Sequence, residues 1–229
     1  MKGLATGYER LARAILTVFV ANVAFVAHTL LGLVVAGFFP SIAASAATFR
    51  TWALDETRSW TVRETWTVFH RAWRAELGSA NAFGWPQLAV WLLLVWDYYL
   101  ANSNDMGVMG VAVSGMLLLV NVLYGVFVMI SWVVRANFDE RAWWVVRTSL
   151  RMVIARPLCT VMMMAVLVLT VWAWYTWPGV LVTFGFALPA FAVVLVVYSF
   201  GRLPGMDARE RAHPAPVQVA SSTRSGRVA

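Results

Sequence analysis

His28, Asn22, Gln87 and Asn121 are the side chains best placed to do chemistry. Each lies inside a long run that holds no Asp, Glu, Lys or Arg. A polar or ionisable group in such surroundings is a functional candidate by default, and an imidazole can relay a proton near neutral pH. The plainer role is a hydrogen bond between helices, worth about 0.6 kcal/mol on average in a membrane. That structural role is the expectation for all four. Asn22 and His28 are six residues apart and so fall on different sides of one helix. Asp97 is a lone acid at the end of an uncharged run, and its expected role is interfacial. The single cysteine, Cys159, excludes an intramolecular disulfide and suits a small residue of an apolar core.

Enzyme classes are hard to support from these residues. The three histidines, His28, His70 and His213, fall in different regions, with no spaced set of metal ligands. There is no P-loop, no Gly-x-Ser-x-Gly and no His-Glu-x-x-His. The apolar runs contain neither a paired Asp nor a Ser/His pair for an intramembrane protease. No catalytic, cofactor-binding or metal residue is therefore assigned, no cofactor is expected, and the chain is expected not to be an enzyme.

The elements that would carry these side chains are apolar helices. The 229 residues are 61% hydrophobic and 13% charged, with a mean hydropathy of +0.70. A soluble domain carries about 25% charged residues, so lipid must cover part of this chain. Ala14 to Phe49 holds 36 uncharged residues, too many for one crossing of a hydrocarbon core about 30 Å thick. Gly37-Phe38-Phe39-Pro40-Ser41 predicts a break in it. A membrane helix is expected over 14–36, and a short helix of small residues, packed among its neighbours, over 40–54. The uncharged start exceeds the 7–15 residues of a signal-peptide core and is expected to stay in the membrane. Further membrane helices are expected over 82–101, 106–134, 158–177 and 180–201, the last two parted by Trp177-Pro178-Gly179, with a kink at Pro189.

Two polar stretches have helical periodicity. In 58–77, Thr61 and Glu64 form a capping-box signature, and Val62, Trp66, Phe69, Trp73 and Leu77 make one stripe. In 139–155 the stripe is Trp143, Val146, Leu150 and Val153. Arg63, Arg71, Arg74, Arg147 and Arg151 lie on other faces, where they suit anionic lipid or an acidic partner. The expected fold is all-α: a polytopic membrane bundle of about five full membrane helices plus one short helix, with two cytoplasmic amphipathic helices. It forms a single membrane domain over 1–202, followed by a disordered cytoplasmic tail over 203–229.

Charge sets the expected topology. The net charge of +7 is spread over the ends of apolar runs and not gathered into one basic domain, which argues against nucleic acid. If the first stretch crosses twice, all 18 basic residues fall on one side, in 1–13, 50–76, 135–156 and 202–229. The other side receives the break at 37–40, residues 97–105 and the turn at 177–179. Positive charge stays inside. This predicts a multi-pass protein of the cell inner (plasma) membrane with six crossings and both termini cytoplasmic.

The order of parts resembles the YesL-like family of small bacterial membrane proteins, whose domain has no known function. The resemblance is carried by Gly32-Leu-Val-Val-Ala-Gly-Phe-Phe-Pro-Ser-Ile-Ala-Ala-Ser-Ala-Ala-Thr-Phe-Arg50, by Trp66-Thr-Val-Phe-His-Arg-Ala-Trp-Arg74 and by Ala155-Arg-Pro157. It covers roughly residues 8–202. Phe39-Pro40-Ser41 stands where the family usually has Gly-Pro-Ala. The resemblance implies a multi-pass membrane protein that keeps frequent genetic company with carbohydrate ABC uptake systems, and it supplies no catalytic residues. The expected function is a non-enzymatic accessory or assembly factor linked to carbohydrate uptake, with a carbohydrate ABC transporter subunit as partner. The alternative is a small transporter or channel that uses the broken first apolar stretch.

Overall fold

The computed structural model describes residues 2–55, 57–104 and 107–201. The tail expected over 203–229 lies outside the described residues, as does His213. Among the described residues the regular elements are all helices. They are α1 (Lys2–Leu31), α2 (Phe38–Leu54), α3 (Val62–Ala75), α4 (Leu77–Ser103), α5 (Gly107–Asn137), α6 (Ala142–Ala155), α7 (Pro157–Thr176), α8 (Pro178–Phe184) and α9 (Ala187–Phe200). Three segments are long and apolar enough to cross a membrane: Leu11–Leu31, Gly107–Asn137 and Pro157–Thr176. The α8–α9 pair, bent by 71°, makes a fourth candidate.

Local chemistry explains the boundaries. Pro157 and Pro178 open α7 and α8, where proline's missing N–H costs nothing. The second surface helix begins at Ala142, a few residues after the expected 139. The first begins at Val62 and not at 58, because the residues before it fold onto Asp55. The Asp55 carboxylate accepts from Thr57 N–H (2.8 Å), Thr57 O–H (2.9 Å) and the Trp60 indole. Thr61 then caps α3: its hydroxyl accepts from Glu64 N–H (3.3 Å), and the Glu64 carboxylate accepts from Thr61 N–H (2.7 Å). These bonds hold the Asp55 and Glu64 carboxyls below the usual carboxylate range, led by the Trp60 indole for Asp55 and by Thr61 N–H for Glu64.

The break in the first apolar stretch lies at Gly32–Gly37, upstream of the expected Gly37–Ser41. Pro40 instead sits in the first turn of α2. Its ring cannot donate to the carbonyl four residues back, Ala36, and would collide with it in a continuous helix. The chain therefore breaks before that point. Leu33 (φ 53°) and Val34 (φ 65°) adopt left-handed conformations, and the turn closes so tightly that a Cβ on Gly32 would lie 2.3 Å from the Gly37 Cα. Asn81 of α4 donates to the freed Ala36 carbonyl at 2.8 Å.

Helix α2 is the hub. It packs against α1, α3, α4, α5 and α9, and its small residues Ala43, Ala44, Ser45, Ala46 and Thr48 are buried, as the sequence leads one to expect. Gly84 of α4 lets the Phe39 ring pass, since a Cβ there would lie 2.2 Å from it. Helices α4 and α5 run antiparallel: Gln87 meets Ser131, Asn121 meets the Leu94 carbonyl, and Glu76 meets Arg135.

Three further expectations change. The kink assigned to Pro189 is centred at Gly185–Phe186, again because the proline excludes the carbonyl four residues upstream. The inward face of α6 is Val145, Ser149 and Met152, one position off the expected stripe, and Trp143 and Leu150 are exposed. The break at 37–40 lies beside the last turn of α3, so it and residues 73–76 cannot face opposite sides of a bilayer. The Trp73 indole donates to the Gly37 carbonyl at 3.4 Å, and Asn81, bonded to Ala36, is five residues from Glu76. Five helical residues rise only about 7.5 Å, far short of a hydrocarbon core about 30 Å thick.

Candidate functional site

Two polar centres lie around α2. The first joins α1 to α3. His28 is 1% exposed, and its Nδ1 lies 2.8 Å from the Ala24 carbonyl. A carbonyl only accepts, so Nδ1 carries the proton. In the neutral ring Nε2 is then an acceptor, and His70 Nδ1–H donates to it at 2.9 Å. Trp66, Phe69 and Trp73 stand around the same imidazole, each with its ring centroid 5.2 Å away. Both nitrogens of His28 are engaged, so it offers neither to a ligand. The histidines expected in separate regions thus meet, 42 residues apart in sequence. The signal was present in α3, where His70 lies one residue from the buried Phe69 and three from Trp73. Among the described residues no three His, Cys, Asp or Glu side chains gather as metal ligands.

The second centre is a cleft of about 310 Å³ between α2 and the end of α5, at the start of α4. Arg135 donates to the Glu76 carboxylate at 2.5 Å, and Ser79 O–H donates to the same oxygen. The Arg135 guanidinium also lies 5.2 Å from the Phe83 ring, and its Nε has no protein partner. Arg50 donates to Asn137 Oδ1 at 3.1 Å, and the Tyr198 hydroxyl donates to that same oxygen. Asp139 and Glu140 complete the rim and are exposed. Two guanidinium groups thus face three carboxylates. Sequence periodicity does not reveal this set, because its members come from elements up to 148 residues apart (Arg50 to Tyr198). The Glu76–Arg135 ion pair is closed, and the rim charges Asp139 and Glu140 are open.

The remaining polar candidates of the apolar helices make hydrogen bonds between helices. In a continuous helix Phe186 N–H would bond the Val182 carbonyl. At the α8–α9 break the buried Asn22 amide takes both places. Its Nδ2 donates to Val182 O (3.0 Å), and its Oδ1 accepts from Phe186 N–H (3.1 Å) and Ala187 N–H (3.3 Å). Gln87 donates to Ser131 (3.0 Å), which passes a bond on to Val128 O (2.7 Å). Asn121 donates to Leu94 O (3.1 Å) and to Leu117 O of its own helix (2.9 Å). Asp97 is partly buried in the last two turns of α4, and Cys159 is buried.

Residues 18–98 match the model of a protein family described as "Protein of unknown function, DUF624". That span holds the α1–α2 break, the histidine pair and Glu76, but not the α5 side of the cleft. No curated protein and no solved structure matches the chain.

Proposed function

We propose that the protein is a non-enzymatic, multi-pass membrane protein that docks a partner membrane protein at its mixed-charge cleft, as an accessory or assembly factor. The cleft carries this reading. Arg50 and Arg135 are held by Asn137 and Glu76, while Asp139 and Glu140 remain open at the rim. Fixed charges of both signs favour a partner of complementary pattern and suppress others. The resemblance to the YesL-like family supplies the partner class, a subunit of a carbohydrate ABC uptake system.

The crossings in this reading are α5, α7 and the α8–α9 pair, with α4 added as the antiparallel partner of α5, while Leu11–Leu31, also long and apolar enough, turns back at a break that lies beside the end of α3. Helix α4 is 27 residues, about 40 Å, and runs antiparallel to α5. The cleft then lies at the basic, cytoplasmic end of the inner (plasma) membrane bundle, with the Asn102–Asn104 end of α4 outside. Both amphipathic helices, α3 and α6, belong to that cytoplasmic end.

The second reading is a small transporter or channel built on the broken first stretch. Broken helices that line substrate paths leave backbone groups free to coordinate. Here Asn81 occupies the freed carbonyl at the first break, and Asn22 occupies the second. That favours docking.

The test is photo-crosslinking from position 140 in native membranes, with mass spectrometry of the adducts. Docking predicts a discrete transporter-subunit adduct that weakens with Arg50→Gln. An absence of protein adducts, together with solute flux from the purified protein in liposomes, would support the transporter.

A further inference from the structure

The turn between α1 and α2 carries a run of apolar side chains with nothing packed on them. Leu30, Leu31, Leu33, Val34 and Val35 are each more than half exposed, and Leu33 is 85% exposed. Water would be a poor surrounding for this tip. Its backbone does not need water: the N–H groups of Gly32, Leu33, Val34, Val35, Ala36 and Phe38 all donate to carbonyls between His28 and Val34. The Ala36 and Gly37 carbonyls take Asn81, Trp73 and Ser41. A segment that satisfies its own backbone groups is one that lipid tolerates. Beside it stands the last turn of α3, fixed by the His28–His70 and Trp73–Gly37 bonds, with Arg71 and Arg74 exposed.

We propose that the Leu30–Val35 tip is a re-entrant element that inserts into the leaflet nearest the charged cleft, with Arg71 and Arg74 holding anionic lipid headgroups beside it. The α1–α2 hairpin then does not cross the bilayer. Ala36, the residue that follows the tip, lies within about 7.5 Å plus one hydrogen bond of the level of Glu76, and Glu76 is paired with Arg135 at the polar end of α5. Apolar side chains reach the acyl region while guanidinium groups meet phosphates above it, the division of labour of an interfacial anchor. The occupant is lipid because the exposed tip is apolar throughout and the flanking exposed charge at the end of α3 is positive. This inference rests on the membrane-spanning reading of α4 and α5.

The experiment uses the full chain in liposomes, with Cys159→Ser as background and single cysteines at Leu33, Ser103 and Glu140. Impermeant thiol reagents added from each side fix the frame: Ser103 and Glu140 must label from opposite sides, and labelling from one side fells the spanning reading itself. Within that frame, the Leu33 cysteine is expected to resist reagent from both sides. A bimane attached there should be quenched by brominated lipid. Labelling from the Ser103 side, or free labelling from the Glu140 side, overturns insertion. The headgroup contact is read as the ratio of quenching by brominated anionic lipid to brominated zwitterionic lipid. That ratio is expected to fall about fivefold for each of Arg71→Gln and Arg74→Gln, and an unchanged ratio overturns the arginine contact.

Discussion

Replacing Asn22 by Ala tests whether one amide holds the α8–α9 break. The side chain makes three hydrogen bonds to backbone 160 to 165 residues away. At about 0.6 kcal/mol per bond within a membrane, the loss is about 2 kcal/mol. It rises toward about 4 kcal/mol if Val182 C=O and Phe186 N–H both stay unpaired, at about 1–3 kcal/mol each. For a chain of this size, 2 kcal/mol corresponds to a fall of about 4–8 °C in melting temperature. Asn121→Ala is the comparison, because it removes only one bond between helices, to Leu94 O. Its expected shift is about 1–2 °C by the same scale. Thermal unfolding of both purified variants in one detergent gives the answer. If α8 and α9 straighten, Phe186 N–H can bond Val182 again and recover part of the loss. Spin labels at Gly179 and Leu195 would then report a longer separation. Equal shifts for the two variants, or no shift for Asn22→Ala with an unchanged label distance, would refute the reading that Asn22 stabilises the bend that Pro189 imposes.

Three other outcomes are expected. Gly84→Ala places a Cβ against the Phe39 ring and should cost about 1–3 kcal/mol in unfolding, and Phe39→Leu should recover part of it in the double variant. His28→Ala and His70→Ala share one hydrogen bond, so the double variant should be clearly less destabilised than the sum of the singles; strict additivity would show that the 2.9 Å contact contributes nothing. Asp55 has a carboxyl pKa lowered on folding, so its stabilisation is present above the ordinary carboxylate value near pH 3.9 and is lost as the pH falls through the lower folded value. The Trp60 emission, taken as the difference from Trp60→Phe, should change only below about pH 4. The same acid transition in Asp55→Asn would contradict this account.

Local signals in the sequence were clear where the chemistry is local. The Thr61–Glu64 capping box, the inward Phe69 and Trp73, and the small-residue packing of α2 could all be read from spacing. The prolines marked both breaks but not their positions, because a proline excludes the carbonyl four residues before it and the chain bends there. Helix α6 was off by one position because both of its faces carry apolar residues, so a hydrophobic stripe does not separate core from surroundings. Counting charges put the first break across the bilayer from residues 50–76. A hairpin that turns back leaves its basic flanks on the same side as two crossings would, so the count cannot separate the two. The spacing in α3 marks His70 as close to the buried Phe69 and Trp73, but which residue it meets, and the pairing of Glu76 with Arg135, depends on how α3 and α5 dock.

The Asn22 contact also bears on the order of synthesis. Its partners leave the ribosome about 160 residues later, roughly 8 to 32 s at 5–20 residues per second. Throughout that interval the first helix carries an amide whose final acceptor and donors do not yet exist. Until then the amide stays hydrated or is borrowed by another polar contact, and it settles only when the α8–α9 segment arrives. A chain halted before Val182 would leave that amide unpaired, and the α1 contact with the α8–α9 break would close only after both segments had been made.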